Sequence, residues 1–255
     1  MDIYLAGAYP YRKDERYLSL VEKERPFTLE SFAYANPEME KRLPLFKKLL
    51  LDSGAFTMFG SKKAASIVWE EYIDKFAYFI NRNGVERFFE LDIDKLVGYD
   101  KVIELRRRLE NKTGRQCIPV WHKSRGRDNF VRMCDEYKYV AIGGLVGAGG
   151  AGKAAYTDKV TQYFPWFIDT CHSRGGKIHA LGFTSLIGLK KYHFDSVDST
   201  AWCSGNQYGT FFSFENGVMK GRSKPPSKRI ISIKELCYHN YSTWVEFQKY
   251  GVNHL

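Results

Sequence analysis

The feature that most restricts this chain is a recurrence. Short apolar runs return along its length, separated by longer charged or amphipathic stretches. Eight such runs are read at Ile3 to Gly7, Thr28 to Ala33, Leu49 to Ser53, Phe88 to Asp92, Cys117 to His122, Tyr139 to Gly144, Ile178 to Phe183 and Phe194 to Asp198. A short run that is apolar at successive positions suits a strand of a parallel sheet, which is buried on both faces. Helix marks lie between the runs: Pro37-Glu38-Met39-Glu40 opens one helix, Ser66 to Asn81 is apolar at helical spacing, and Val102 to Leu109 and Thr157 to Cys171 follow the same pattern. Repeated βα units of this number predict an α/β fold, a (β/α)8 TIM barrel, with an open doubly wound sheet as the alternative.

A chain of 255 residues is long enough for one such barrel, and the reading is a single domain over 1–255 with the barrel in about 1–205. The segment of about 206–255 is read as an appendage. It consists of a hairpin around Asn216-Gly217, a basic stretch, and a final helix from about Ser232 to Tyr250. Thirty-nine Lys and Arg against 29 Asp and Glu give a net charge of +10, which suits a polyanionic partner. The five cysteines are odd in number, widely spaced and never arranged as C-x-x-C, so they read as packed thiols of a cytoplasmic protein rather than a disulfide framework. Neither a signal peptide nor a run of roughly 20 apolar residues is seen, and no membrane association is expected.

Where each run ends carries the chemistry, because the C-terminal ends of barrel strands converge on one mouth. Leu49 to Leu51 leads into Asp52-Ser53-Gly54-Ala55-Phe56, the fourth run into Asp92, the fifth into His122, the sixth into Gly143-Gly144-Leu145, the seventh past Leu181 into Gly182, and the eighth into Asp198-Ser199. Taken singly, each has a plainer reading. Asp52 and Asp198, each followed by Ser, also read as helix N-caps, His122 as a hydrogen-bonded structural histidine, Gly143-Gly144 as a turn, and Phe56 and Leu181 as core. Their coincidence on one side of six runs favours a site. Gly147 to Lys153 has the spacing of a phosphate-binding loop, but Ala154 stands where that loop needs a hydroxyl for magnesium. Lys153 is therefore read as a cation near phosphate on a loop over the mouth.

These endings, in this order, resemble the tRNA-guanine transglycosylases, and most of all their smaller phage and bacterial relatives that place 7-deazaguanines in DNA. The resemblance rests on Asp52-Ser53-Gly54-Ala55-Phe56, Leu91-Asp92-Ile93, Pro119-Val120-Trp121-His122, Gly143 to Gly147, Leu181-Gly182 and Val197 to Trp202, and spans about residues 45 to 205. It implies a TIM barrel in which Asp198 is the nucleophile, with Asp195 as its rival, and Asp52 is the general acid/base. Phe56 and Leu181 would sandwich the purine; Asp92, His122 and the backbone of Gly143, Gly144 and Leu145 would read its edge.

The tail departs from the tRNA enzymes. Cys203, Cys237, His239 and His254 lack the clustered spacing of their zinc module, so no zinc subdomain, no metal and no cofactor are expected, and DNA is favoured over tRNA as the substrate. Free 7-deazaguanine base is the other expected partner, with helper proteins allowed for and, for a phage-encoded chain, the host cytoplasm as its location. Lys220, Arg222, Lys224, Lys228 and Arg229 would grip phosphate, or are simply a solvated basic face. A non-catalytic nucleic-acid-binding barrel, and a metal-assisted hydrolase using His122 with Asp52 and Asp92, are the competing readings.

Overall fold

Seven of the expected runs pair side by side in the computed structural model, which describes residues 1–7, 14–55, 66–143, 161–183, 186–203, 209–223 and 232–255. They are β1 (Asp2–Ala6), β2 (Phe27–Ser31), β3 (Lys48–Asp52), β4 (Val120–Trp121), β5 (Tyr139–Ile142), β6 (Lys177–Ala180) and β7 (Ser196–Ser199). All pairings are parallel, in the order β3-β2-β1-β7-β6-β5-β4. The edges of this sheet are joined by the remaining run. Leu51 of β3 pairs with Phe88, and Phe89 pairs with Ile118 just ahead of β4, both in parallel. The backbone bonds Phe89 N–H to Leu51 O (2.9 Å) and Ile118 N–H to Phe88 O (2.8 Å) carry these contacts. The sheet is thereby curled into a ring of parallel segments that follow one another in chain order.

Period-two alternation divides the strand residues between two cores. Tyr4, Phe27, Leu50, Phe89, Ile118, Val120 and Ala141 pack together inside the ring. Ile3, Leu5, Val140, Ile142, Ile178 and Val197, at the alternate strand positions, face outward into a second cluster shared with the helices. This two-sided burial is why the runs contain so few polar positions, and it makes the exceptions informative.

The covering helices are α1 (Glu15–Glu24), α2 (Pro37–Glu40), α3 (Trp69–Arg82), α4 (Asp94–Val97), α5 (Tyr99–Thr113), α6 (Gly126–Glu136), α7 (Phe164–His172), α8 (Leu186–Lys191) and α9 (Ile233–His254). Local signals set several ends: Asn36 accepts from Met39 N–H with Pro37 at the first position of α2, and Gly114 at φ 66° closes α5. The sequence reading did not anticipate α1, α4, α6 and α8. In α1 only Tyr17 and Val21 are buried, a single contact pair too sparse to display a helical period.

One expectation is corrected in the tail. The hairpin forms as expected, β8 (Thr210–Glu215) against β9 (Val218–Ser223), with Asn216 at φ 51° and Gly217 at φ 73° as a two-residue turn of this hand requires. The helix behind it is no appendage. Tyr241, Trp244, Val245 and Phe247 of α9 belong to the same core cluster as Ile3, Leu5 and Trp202. Gln248 donates to Ile3 O (2.6 Å) and Phe27 O (2.8 Å) and accepts from Phe27 N–H (2.8 Å). This buried amide fastens α9 across β1 and β2, where the helix following a last strand belongs. Among the described residues, no helix is long and apolar enough to cross a membrane.

Candidate active site

Because every segment of the ring runs the same way, the C-terminal ends share one mouth. Asp52 is the last residue of β3, and Asp92 follows the 88–89 segment. His122 comes directly after β4, Gly143 directly after β5, Leu181 directly after β6, and Asp198 lies inside β7 paired with Tyr4. These are the expected site residues that the structure brings to one end of the ring. Phe56, Gly144, Leu145, Lys153, Lys224, Lys228 and Arg229 lie outside the described residues. Lys220 and Arg222 lie on β9 and are exposed. They share its solvent face, while Phe212 and Phe214 on the opposite face of the hairpin pack on Trp244 and Phe247.

Asp52 is held by two donors on one oxygen: Ser31 Oγ at 3.1 Å and Gly54 N–H at 2.8 Å. The second bond depends on glycine. Gly54 sits at φ +84°, and a Cβ there would stand 2.6 Å from Ala33 Cβ. Burial and then the nearby charge of Asp92 push the Asp52 carboxyl up to about 7. The two hydrogen bonds act against that rise, and the charge of Asp198 adds to it. A carboxyl that holds its proton near neutrality can both give and take one.

Asp92 pairs with His122, Nε2 to Oδ2 at 3.1 Å. Burial raises the Asp92 carboxyl, and the hydrogen bond and charge of His122 oppose the rise. Behind this pair lies a charge network that sequence reasoning missed. Glu90 is fully buried and accepts from Arg106 Nε (2.6 Å), Arg125 Nη1 (2.6 Å) and Val120 N–H (2.7 Å). Arg125 also forks onto Asp94 at 2.6 and 2.5 Å and lies over the Tyr99 ring at 4.4 Å. Residues 90–94 are thus tied to the turn after β4, which fixes Asp92 relative to His122. A charged residue within the apolar run Phe88 to Leu91 was the available signal.

Asp198 is 7% exposed. Its Oδ1 accepts from Gly182 N–H at 2.7 Å and lies 3.2 Å from His179 Nε2. His179, fully buried between Tyr4 and Phe89, is the second residue at the site that the sequence reading passed over. Asp195 precedes β7 and lies at the opposite end of the ring, where its carboxylate meets His172 Nε2 (2.9 Å) and Ile178 N–H (2.8 Å).

Gly143 completes the wall between His122 and Leu181. A Cβ there would stand 2.8 Å from Val120 Cγ1, 3.0 Å from His122 Cε1 and 3.2 Å from Leu181 Cδ1, so bare backbone is what fits. Among the described residues no three His, Cys, Asp or Glu side chains converge as metal ligands. In the tail, His239 stacks on Phe211 and His254 on Tyr250.

No family model matches the sequence, and no curated protein matches it. Among solved structures, one titled "QR15, an Aldolase" is similar with a TM-score of 0.51 at 14% identity, over 79% of this chain and 90% of that one. CitE from Mycobacterium tuberculosis, solved with magnesium, acetoacetate and coenzyme A, gives a TM-score of 0.44 at 12% identity, over 96% and 97%. The first likeness speaks for the TIM-barrel-like α/β fold alone.

Proposed function

We propose that this chain is an enzyme, a guanine transglycosylase that exchanges guanine in DNA for a 7-deazaguanine of the preQ0 kind. The observation that carries the reading is the contrast between two carboxylates at one mouth. Asp52 is half-buried near like charges and holds its proton near neutrality, whereas Asp198 is supplied with N–H donors. Two such groups with separated roles are what a double displacement at a sugar carbon needs.

In the first step Asp198 Oδ2, the oxygen not engaged by Gly182 and His179, attacks C1′ of the target nucleotide. The bond from C1′ to the guanine nitrogen breaks, its electron pair leaves with the base, and Asp52 gives that base a proton. In the second step Asp52 takes a proton from the incoming 7-deazaguanine, whose ring nitrogen attacks C1′ and releases Asp198. Two inversions restore the original configuration. The Asp92–His122 pair would meet the polar edge of the base, and the flat backbone at Gly143 leaves room for its ring. Extruding the guanine from the stack costs a few kcal/mol, which these contacts would offset. The net charge of +10 and the exposed Lys220 and Arg222 support a nucleic-acid substrate.

The test is incubation of the protein with labelled guanine and, side by side, duplex DNA, single-stranded DNA and tRNA. Label entering DNA is expected. Label entering tRNA alone would reassign the substrate, and label entering none of them would overturn the exchange reading.

A further inference from the structure

We infer that Tyr139, Ser196 and His179 form a one-directional hydrogen-bond chain through the interior of the ring that fixes the imidazole tautomer and aims an N–H at Asp198. The inference deepens the reading of Asp198 as nucleophile, and its activity arm rests on that reading.

The chain is continuous. The Tyr139 hydroxyl meets Ser196 Oγ, Ser196 Oγ lies 2.7 Å from His179 Nδ1, and His179 Nε2 lies 3.2 Å from Asp198 Oδ1. The strands bring these groups together, since β6 and β7 pair His179 directly with Ser196 while Tyr139 stands at the start of β5. Ser196 and Asp198 are two residues apart and so share the inner face of β7. At its far end Tyr139 lines a cavity of about 280 Å³ at the base of the ring, together with Lys48, Arg87 and Lys177. The chain therefore reaches from that cavity to the mouth.

Donor counting sets the direction. An ionised Asp198 has only acceptors to offer, and one of its oxygens already takes the Gly182 N–H, so Nε2 must carry hydrogen. In an uncharged imidazole Nδ1 is then an acceptor, Ser196 must donate to it, and the hydrogen remaining for Ser196 Oγ to accept is that of Tyr139. Burial holds the Tyr139 phenol well above its ordinary range, which keeps that hydrogen in place. Polar groups set among Tyr4, Phe27 and Phe89 are tolerable only when every one is satisfied, and this orientation satisfies them all. Tyr139, Ser196 and His179 are positioning residues, because none has to touch the substrate for the chain to act.

The experiment is ¹⁵N NMR of the histidine ring nitrogens in the whole protein, read without any substrate. The expected result is hydrogen on Nε2 and none on Nδ1 of His179 at pH 7, with Ser196→Ala shifting the Nδ1 resonance as that nitrogen loses its donor. Hydrogen on Nδ1 alone, hydrogen on both nitrogens, or a spectrum unmoved by Ser196→Ala would overturn the inference. In the exchange assay His179→Leu should lower kcat by about 100-fold with KM little changed, and His179→Gln, which keeps a donor near the Nε2 position, should recover most of it. A drop in KM and kcat together without rescue by Gln would reduce the chain to packing. The expected tautomer in a protein that exchanges no base would sink the transglycosylase reading and leave the chain standing; exchange with the wrong tautomer would do the reverse.

Discussion

At the base of the ring Asp2 lies 2.6 Å from Lys48 Nζ, and Asp195 lies 2.9 Å from His172 Nε2. At the mouth Asp52 has Asp92 and Asp198 as the charges that act on it, and both push its proton affinity upward. The two ends use the same residue type, but at the mouth one carboxyl stands near two others. A partly exposed carboxylate beside a lysine or histidine is a modest structural contact, worth about 0–1 kcal/mol. Carboxylates gathered close together at one mouth cost stability and perturb one another's protons, an arrangement that proteins keep where they need it for chemistry. The base thus anchors the ring and the mouth bears its cost.

The sharpest way to break this comparison is to remove one aspartate from each end. Asp198→Ala is expected to lower kcat for base exchange by on the order of 10⁴-fold and to abolish any covalent sugar adduct. Asp195→Ala, three positions away but at the base, should stay within a few-fold of the parent. Equal losses from both would erase the distinction between the ends. Glu90 probes the support behind the mouth. Glu90→Ala leaves Arg106 and Arg125 buried without their shared carboxylate and should cost about 3–5 kcal/mol in urea unfolding. A loss below about 1 kcal/mol would mean that the network does not hold residues 90–94.

These same residues mark where the sequence was legible and where it was not. The strand runs were readable because a parallel sheet buries both faces, and the polar endings stood out against that background. Asp198 was preferred to Asp195 because it falls at a strand end, and the structure sets β7 at Ser196–Ser199, so that one aspartate lies before the strand and the other within it. His179 and Glu90 were visible as polar residues inside apolar runs, but their meaning lies in partners set by folding. Asp198 is 19 residues from His179, and Arg106 and Arg125 are 16 and 35 residues from Glu90. The basic tail drew attention to charge and hid the apolar face with which α9 completes the core.

Asp52 offers a test with a sign. Its folded-state proton affinity is raised to about 7 from about 3.9 in an unfolded chain, so between those values the folded protein holds a proton that the unfolded chain releases. Stability contributed by this group is therefore full below about pH 4, falls as pH rises to about 7, and is level above. Asp52→Asn removes the titration. Its stability relative to the parent should rise across that window by up to a few kcal/mol, seen as a diverging Tm, while exchange activity falls about 10²- to 10⁴-fold. Parallel pH–stability curves for the two proteins would show that Asp52 is solvated like an ordinary surface acid, and the contrast between mouth and base would then lose its main support.

The smallest effect expected lies outside both ends of the ring, on β9. Lys220 and Arg222 are exposed and alternate on the solvent face of the hairpin, so the contribution expected of them is the sequence-independent attraction of phosphate. Replacing both with Ala should weaken DNA binding uniformly across sequences, leave kcat at saturating DNA unchanged, and reduce the slope of log K against log salt by about 1 to 2. Two phosphate contacts cannot do more than this, because each releases roughly one counterion. A change in kcat would mean that the hairpin positions the target nucleotide rather than merely holding its backbone, and an unchanged salt slope would return both residues to the solvated surface.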